Sequence, residues 1–207
     1  MGRTSDAKQR LMDAVLDLVW KGSYGHTSVD LICEQAGVKK GSFYHFFESK
    51  SDLTAEALED SWARVYRPMY DSIFSPSKSP LDRLKDHVEN CYEEQKKEFD
   101  KCGRVLGCPL FSLGNEISMQ EQRLREVVQN MLNIHVRYLE TALRDGHSQG
   151  LFSCPHPTLM AHTLFRYCEG TLTEARIMNN LELLRDMGPA ILGLLGLNDF
   201  SSVKLAA

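Results

Sequence analysis

Long apolar runs are missing from this 207-residue chain: none reaches the roughly 20 residues that a membrane-crossing helix needs. The opening Met1-Gly-Arg-Thr-Ser-Asp6 is neither an apolar leader nor a myristoylation signal, which would need Ser or Thr at the sixth position. A cytoplasmic protein with no membrane partner is therefore expected. The six cysteines, Cys33, Cys91, Cys102, Cys108, Cys154 and Cys168, are scattered and never form a Cys-x-x-Cys pair, so a secreted disulfide framework is not indicated. Strict apolar-polar alternation is also lacking, which removes the main signature of half-buried strands. So are the motifs of common enzymes: a Gly-x-Ser-x-Gly elbow, a phosphate-binding glycine loop and a His-Glu-x-x-His pair. Cys154, His156 and His162 could converge, yet a loop cysteine and a histidine on an amphipathic helix read as structural. No metal, no cofactor and no enzymatic activity are expected.

Nor is there an excess of cations. Lys and Arg number 24 against 28 Asp and Glu, a formal charge of −4, which argues against a polyanion lying over the whole surface. The distribution is uneven, however: residues 1–50 carry seven cations against six acids, and the remainder is net negative. A DNA-binding head on an acidic body fits that asymmetry.

What is present is helical periodicity, organised around residues 27–52. Thr27 is placed to cap a helix whose first turn holds Asp30, with Val29, Ile32, Cys33 and Ala36 on one face. Gly37 then closes it, since glycine tolerates the left-handed conformation that ends a helix. Lys39 opens a second helix in which Phe43, Phe46 and Phe47 turn inward. Lys39, Lys40, Ser42, Tyr44 and His45 then face outward, where lysines and free amides attract phosphate, Ser42 and Tyr44 can hydrogen-bond DNA, and Gly41 allows close approach. The run Gly37-Val-Lys-Lys-Gly-Ser-Phe-Tyr-His-Phe-Phe-Glu-Ser-Lys50, followed by Leu53, closely resembles the helix-turn-helix signature of TetR-family transcriptional regulators. The resemblance covers about the first quarter of the chain directly, and the helix lengths that follow agree with the family's layout.

Either side of this unit the pattern stays helical. Leu11, Ala14, Val15, Leu18 and Val19 make the stripe of a first helix, broken by Gly22 and Gly25. Ser49 and Asp52 cap a longer helix with Ala55, Leu58, Trp62, Val65 and Met69 on one face; Ser79-Pro80 starts another that runs to about residue 98. An irregular helix follows over 104–117, carrying Gly107, Cys108 and Pro109. Ser118 and Glu121 cap a long helix stopped by Gly146, and two final helices span about 158–178 and 181–195. The expected fold is all-α: a helix-turn-helix head over 1–48, a helical effector-binding and dimerisation body over 49–197, and a disordered tail over 198–207.

The resemblance implies a homodimeric repressor that binds double-stranded operator DNA and is released by a small-molecule effector. Its DNA-binding residues would be Thr27, Ser28, Lys39, Lys40, Gly41, Ser42, Tyr44, His45 and Lys50. The inward faces of the body point to an effector pocket of Phe99, Cys108, Phe111, Asn115, Met131, His135, Tyr138, Phe165, Tyr167 and Glu169, suited to a partly aromatic ligand. The apolar faces of the last two helices suggest a dimer interface with Leu164, Thr171, Ala175, Ile191, Leu194 and Leu195. A thiol-based sensor working through Cys108, beside a helix start and with Cys102 as its resolving partner, is the main alternative. A helical enzyme that kept a DNA-binding-like head is the remote one.

Overall fold

The computed structural model describes residues 3–197, with side chains from Asp6 onward. The expected tail over 198–207 lies outside the described residues. Ten α-helices and no strand occur among those described: α1 (Arg3–Lys21), α2 (Val29–Ala36), α3 (Lys40–Phe46), α4 (Lys50–Ser61), α5 (Arg67–Ile73), α6 (Pro80–Cys102), α7 (Pro109–Glu116), α8 (Gln122–Ser148), α9 (Pro157–Met178) and α10 (Met187–Leu194). A π-helical segment, Trp62–Tyr66, joins α4 to α5, and a 3-10 segment, Leu181–Asp186, precedes α10. None of the described helices is long and apolar enough to cross a membrane. By packing, the chain forms two compact units, Met1–Pro68 with Pro109–Leu132 and Met69–Cys108 with Asn133–Ala207.

The first unit is built on the α1 stripe, where Leu11, Val15 and Val19 are buried with Ile32 of α2, Phe43 of α3 and Leu53 of α4. Burying each such side chain contributes about 1.5–3 kcal/mol, the driving force for stacking α2, α3 and α4, too short to persist alone, on α1. The cap of α2 is Ser28, not Thr27: the Ser28 hydroxyl accepts the Leu31 amide at 3.2 Å, while Thr27 turns its hydroxyl inward to donate to the Ser23 carbonyl at 2.7 Å. Gly37 adopts φ +61°, and the Val38 amide returns to the Cys33 carbonyl at 2.9 Å, which reverses the chain into α3. Ser49 caps α4 by accepting the Asp52 amide at 3.0 Å. The face expected to continue through Val65 does not, because Val65 is exposed. Pro68 lacks the amide that would bond back to Arg64, and one residue earlier the Arg67 amide reaches the Trp62 carbonyl in a widened π turn.

The second unit packs α6, most of α8, α9, the 3-10 segment and α10 around Leu84, Val88, Leu139, Leu143, Leu164, Leu184 and Met187. Ser79 and Pro80 start α6 as the sequence implies, with the Ser79 hydroxyl accepting the Asp82 amide at 3.1 Å. Gly146 does not stop α8, which runs to Ser148. The ring of Phe152 instead lies over Gly146 so closely that a Cβ there would sit 2.2 Å from its Cζ. The last expected helix is also divided, its first turn being the 3-10 segment whose entry Asn180 caps through the Glu182 amide at 3.1 Å.

Candidate DNA interface and interior polar site

In the first unit, α3 is a two-sided element. Phe43 and Phe47 are buried and Phe46 is half-buried, which leaves Lys39, Lys40, Gly41, Tyr44 and His45 exposed and Ser42 partly so. Nothing in the protein lies within 4 Å of a Cβ placed on Gly41. Lys40 is paired across the turn with Asp30 at 2.7 Å, a hydrogen-bonded contact that holds its ammonium above the usual lysine range. Two of the anticipated DNA contacts sit otherwise. Thr27 is only 3% exposed, and the Lys50 ammonium donates to the Tyr24 carbonyl at 2.6 Å while lying 4.0 Å from that ring's centroid. Burial lowers the Lys50 pKa. Ser28 is exposed but engaged as the α2 cap.

The loop between α1 and α2 is pinned within the first unit by two carboxylates that the sequence did not single out for this. Glu116 accepts from the Ser23 hydroxyl at 2.5 Å and the Gly25 amide at 2.9 Å, and Glu121 accepts from the buried Tyr24 hydroxyl. Burial above all, then Glu121, raises the Tyr24 pKa.

The residues expected to line a pocket divide between the two units. Phe111, Asn115 and Met131 belong to the first, where Asn115 is exposed and Met131 buried. Phe99, Cys108, His135, Tyr138, Phe165, Tyr167 and Glu169 belong to the second, and there the structure brings most of the rest together around Tyr70. The Tyr70 ring stacks on His135 at 4.8 Å and 8°, with Tyr138 at 5.3 Å, Phe74 at 6.0 Å and His87 at 6.0 Å; Phe165 approaches His135 at 6.4 Å. The Tyr138 hydroxyl donates to Asp71. Tyr70 is also electrostatically coupled to Cys91, Cys108, Glu94 and Glu169, with burial foremost in raising its own pKa. The Cys108 thiol hydrogen-bonds the Glu169 carboxyl, which burial lifts to about 7. Burial likewise drops His87 to about 4 and His135 to about 3, and pushes Cys168 up to about 12.

Tyr70, Phe74, His87 and Gln95 were absent from the sequence-based pocket. Their signal was there: Tyr70 and Phe74 are four apart, and His87, Cys91 and Gln95 repeat along one face of α6. Gln95 is the most constrained of them. Its Oε1 accepts the Leu106 and Gly107 amides at 3.0 and 2.8 Å, and its Nε2 donates to the Gly107 carbonyl at 3.2 Å.

A helix-turn-helix with an exposed recognition face, joined to a second helical unit with a polar and aromatic interior, defines a DNA-binding regulator. Residues 11–57 match the family model for bacterial regulatory proteins of the tetR family, and residues 80–190 match that of the tetracyclin repressor-like C-terminal domain. The chain belongs to the TetR family, and it is a DNA-binding transcriptional regulator. It is 28% identical to the transcriptional regulator AcuR of Cereibacter sphaeroides over 83% of this chain and 77% of that one. It is 22% identical to the transcriptional repressor NemR of Escherichia coli over 87% and 89%. The crystal structure of E. coli NemR in its reduced form superposes with a TM-score of 0.78 at 22% identity, covering 91% of this chain and 96% of that one. A regulatory protein TetR from Rhodobacter sphaeroides gives 0.77 at 25% identity, covering 89% and 96%.

Proposed function

We propose that the chain is a cytoplasmic, homodimeric repressor and not an enzyme, with a DNA-reading head over residues 1–48 and an effector-binding and dimerisation body over 49–197. A small-molecule effector releases it from its operator. The observation that carries the DNA-reading part is the open space at Gly41 on the exposed face of α3. A glycine inside a helix costs about 1 kcal/mol against alanine, so its presence where nothing in the protein crowds it fits a partner that comes close to the backbone. Lys39 and Tyr44 are placed for phosphate contacts, and Ser42 and His45 for base edges in the major groove. Lys40 joins them once its pairing with Asp30 is exchanged, whereas Lys50 and Thr27 act by fixing the reading unit.

Release by an effector requires that the ligand bind the DNA-free form better than the DNA-bound one. The Tyr70-centred interior supports this reading, since buried polar atoms among aromatic rings are costly to keep unless they serve recognition. A thiol switch at Cys108 is not favoured. Its thiol is engaged with Glu169, and among its neighbours the Cys91 and Cys168 thiols are pushed up by burial.

The test is a gel shift on the DNA flanking the protein's own gene, with Gly41→Ala and Tyr44→Phe beside the parent. Gly41→Ala should hold or slightly raise the melting temperature, yet weaken operator binding by about tenfold or more. Undiminished binding by both variants would place the reading face elsewhere.

A further inference from the structure

Among the described residues only two buried side-chain N or O atoms make no hydrogen bond, His87 Nδ1 and Glu169 Oε2, and both lie in the second unit. The two residues are 7% and 5% exposed, so water does not satisfy them from the surface. Leaving a carboxyl oxygen and an imidazole nitrogen unpaired in the interior is unfavourable, and more so if the carboxyl is charged. Folding alone does not repay that cost, because an apolar residue of like size would fill either position at less expense.

The surroundings say what kind of group would complete them. Only burial and the Cys108 thiol bear appreciably on Glu169, so no lysine or arginine serves as its counter-ion. The neighbouring Glu94 has Lys97 acting on it, but is itself a second acid near Cys91 and Tyr70. His87 and His135 are both kept neutral by burial and supply no positive charge. Rings of Tyr70, Phe74, Tyr138 and Phe165 make up the remainder, and their faces attract cations. An anionic ligand would meet carboxyl groups and ring faces here, and the buried Arg83, one turn before His87, is already committed to Asp145.

We propose that this interior binds a cationic aromatic amine, with Glu169 as its counter-ion, the Tyr70–His135 stack as the platform for its ring, and His87 Nδ1 as a second polar contact. The assignment rests on the effector reading above and gives that effector its charge. In the tautomer that carries its proton on Nε2, His87 presents Nδ1 as an acceptor for a donor on the ligand.

Titration calorimetry of the full-length protein with naphthylmethylamine, naphthylmethanol and naphthoate, which share a ring system and differ in charge, tests it. The amine should bind at least about tenfold more tightly than the alcohol, and naphthoate should not bind measurably. Glu169→Gln, nearly the same size and still able to accept from Cys108, should keep its helical circular dichroism and lose the preference for the amine. Naphthoate binding as well as the amine, amine affinity unchanged in Glu169→Gln, or no amine binding at all would each overturn the proposal. Gel shifts with the same probes separate this from the wider reading. Amine binding that depends on Glu169 but leaves the operator complex intact upholds the site and removes effector release. Operator release by naphthoate alone upholds release and overturns the cationic assignment.

Discussion

Glu169 and the two histidines of the second unit act on stability in opposite senses. Burial raises the Glu169 pKa from 4.5 to about 7, so the folded state holds its proton more tightly than the unfolded chain. Its contribution is present below about pH 4.5 and is lost as pH rises through 7. His87, at about 4, and His135, at about 3, are lowered from 6.5 by the same burial; their contribution is present above about pH 6.5 and is lost as pH falls toward 4. Glu169→Gln removes only the alkaline loss. In melts from pH 5 to pH 8 the variant should draw ahead of the parent as pH rises, by on the order of 3 kcal/mol at most. Parallel curves would mean that the Glu169 carboxyl is solvated or already paired.

At the scale of elements, helix starts were the most legible feature, because caps are local chemistry. Ser49 with Asp52, and Ser79 with Pro80, stand one turn from the groups they satisfy, and each begins its helix where the sequence puts it. Thr27 misled for the same reason: it alone has an acid, Asp30, three residues on, yet its hydroxyl turns back to the Ser23 carbonyl four residues earlier and the adjacent Ser28 becomes the cap. Non-local packing was not legible. No spacing rule ties Phe152 to Gly146 or marks a π turn before Pro68, and the Tyr70 cluster required α5, α6, α8 and α9 to be placed together. Residues 104–108 read in sequence as the irregular start of a helix, whereas α7 begins only at Pro109; the Leu106 and Gly107 peptide groups are held instead by the Gln95 side chain, eleven and twelve residues back. Gln95→Leu should therefore remove three hydrogen bonds to the Leu106 and Gly107 backbone while keeping the volume. A loss of about 2–5 kcal/mol in a urea titration is expected, far above the usual effect of a surface change. A loss below 1 kcal/mol would show that the loop finds other partners.

Across the whole molecule, one helix-turn-helix reads too few base pairs for specific binding, and two copies spaced by roughly 34–36 Å along DNA satisfy both the length and the symmetry of a typical operator. The apolar faces of α9 and α10 that sequence offers for the dimer are largely spent within the protomer, since Leu164, Ala175, Ile191 and Leu195 are buried there and only Leu194 of the apolar set is exposed. The other side of α9 is open. Leu159, Arg166, Gly170, Thr173 and Ile177 recur at helical spacing on an exposed face, Ile177 is 76% exposed, and no protein atom lies within 4 Å of a Cβ built on Gly170. An exposed isoleucine beside a helix-interior glycine suits the close approach of a second α9 around a two-fold axis. In sedimentation at micromolar concentration, Ile177→Glu and Gly170→Leu should each shift the protein toward monomer with their helical content and melting cooperativity intact. Leu164→Glu should instead unfold it, because it puts a charge into the protomer's own core. Dimers that survive both surface changes, or a folded monomer from Leu164→Glu, would return the interface to the buried stripe.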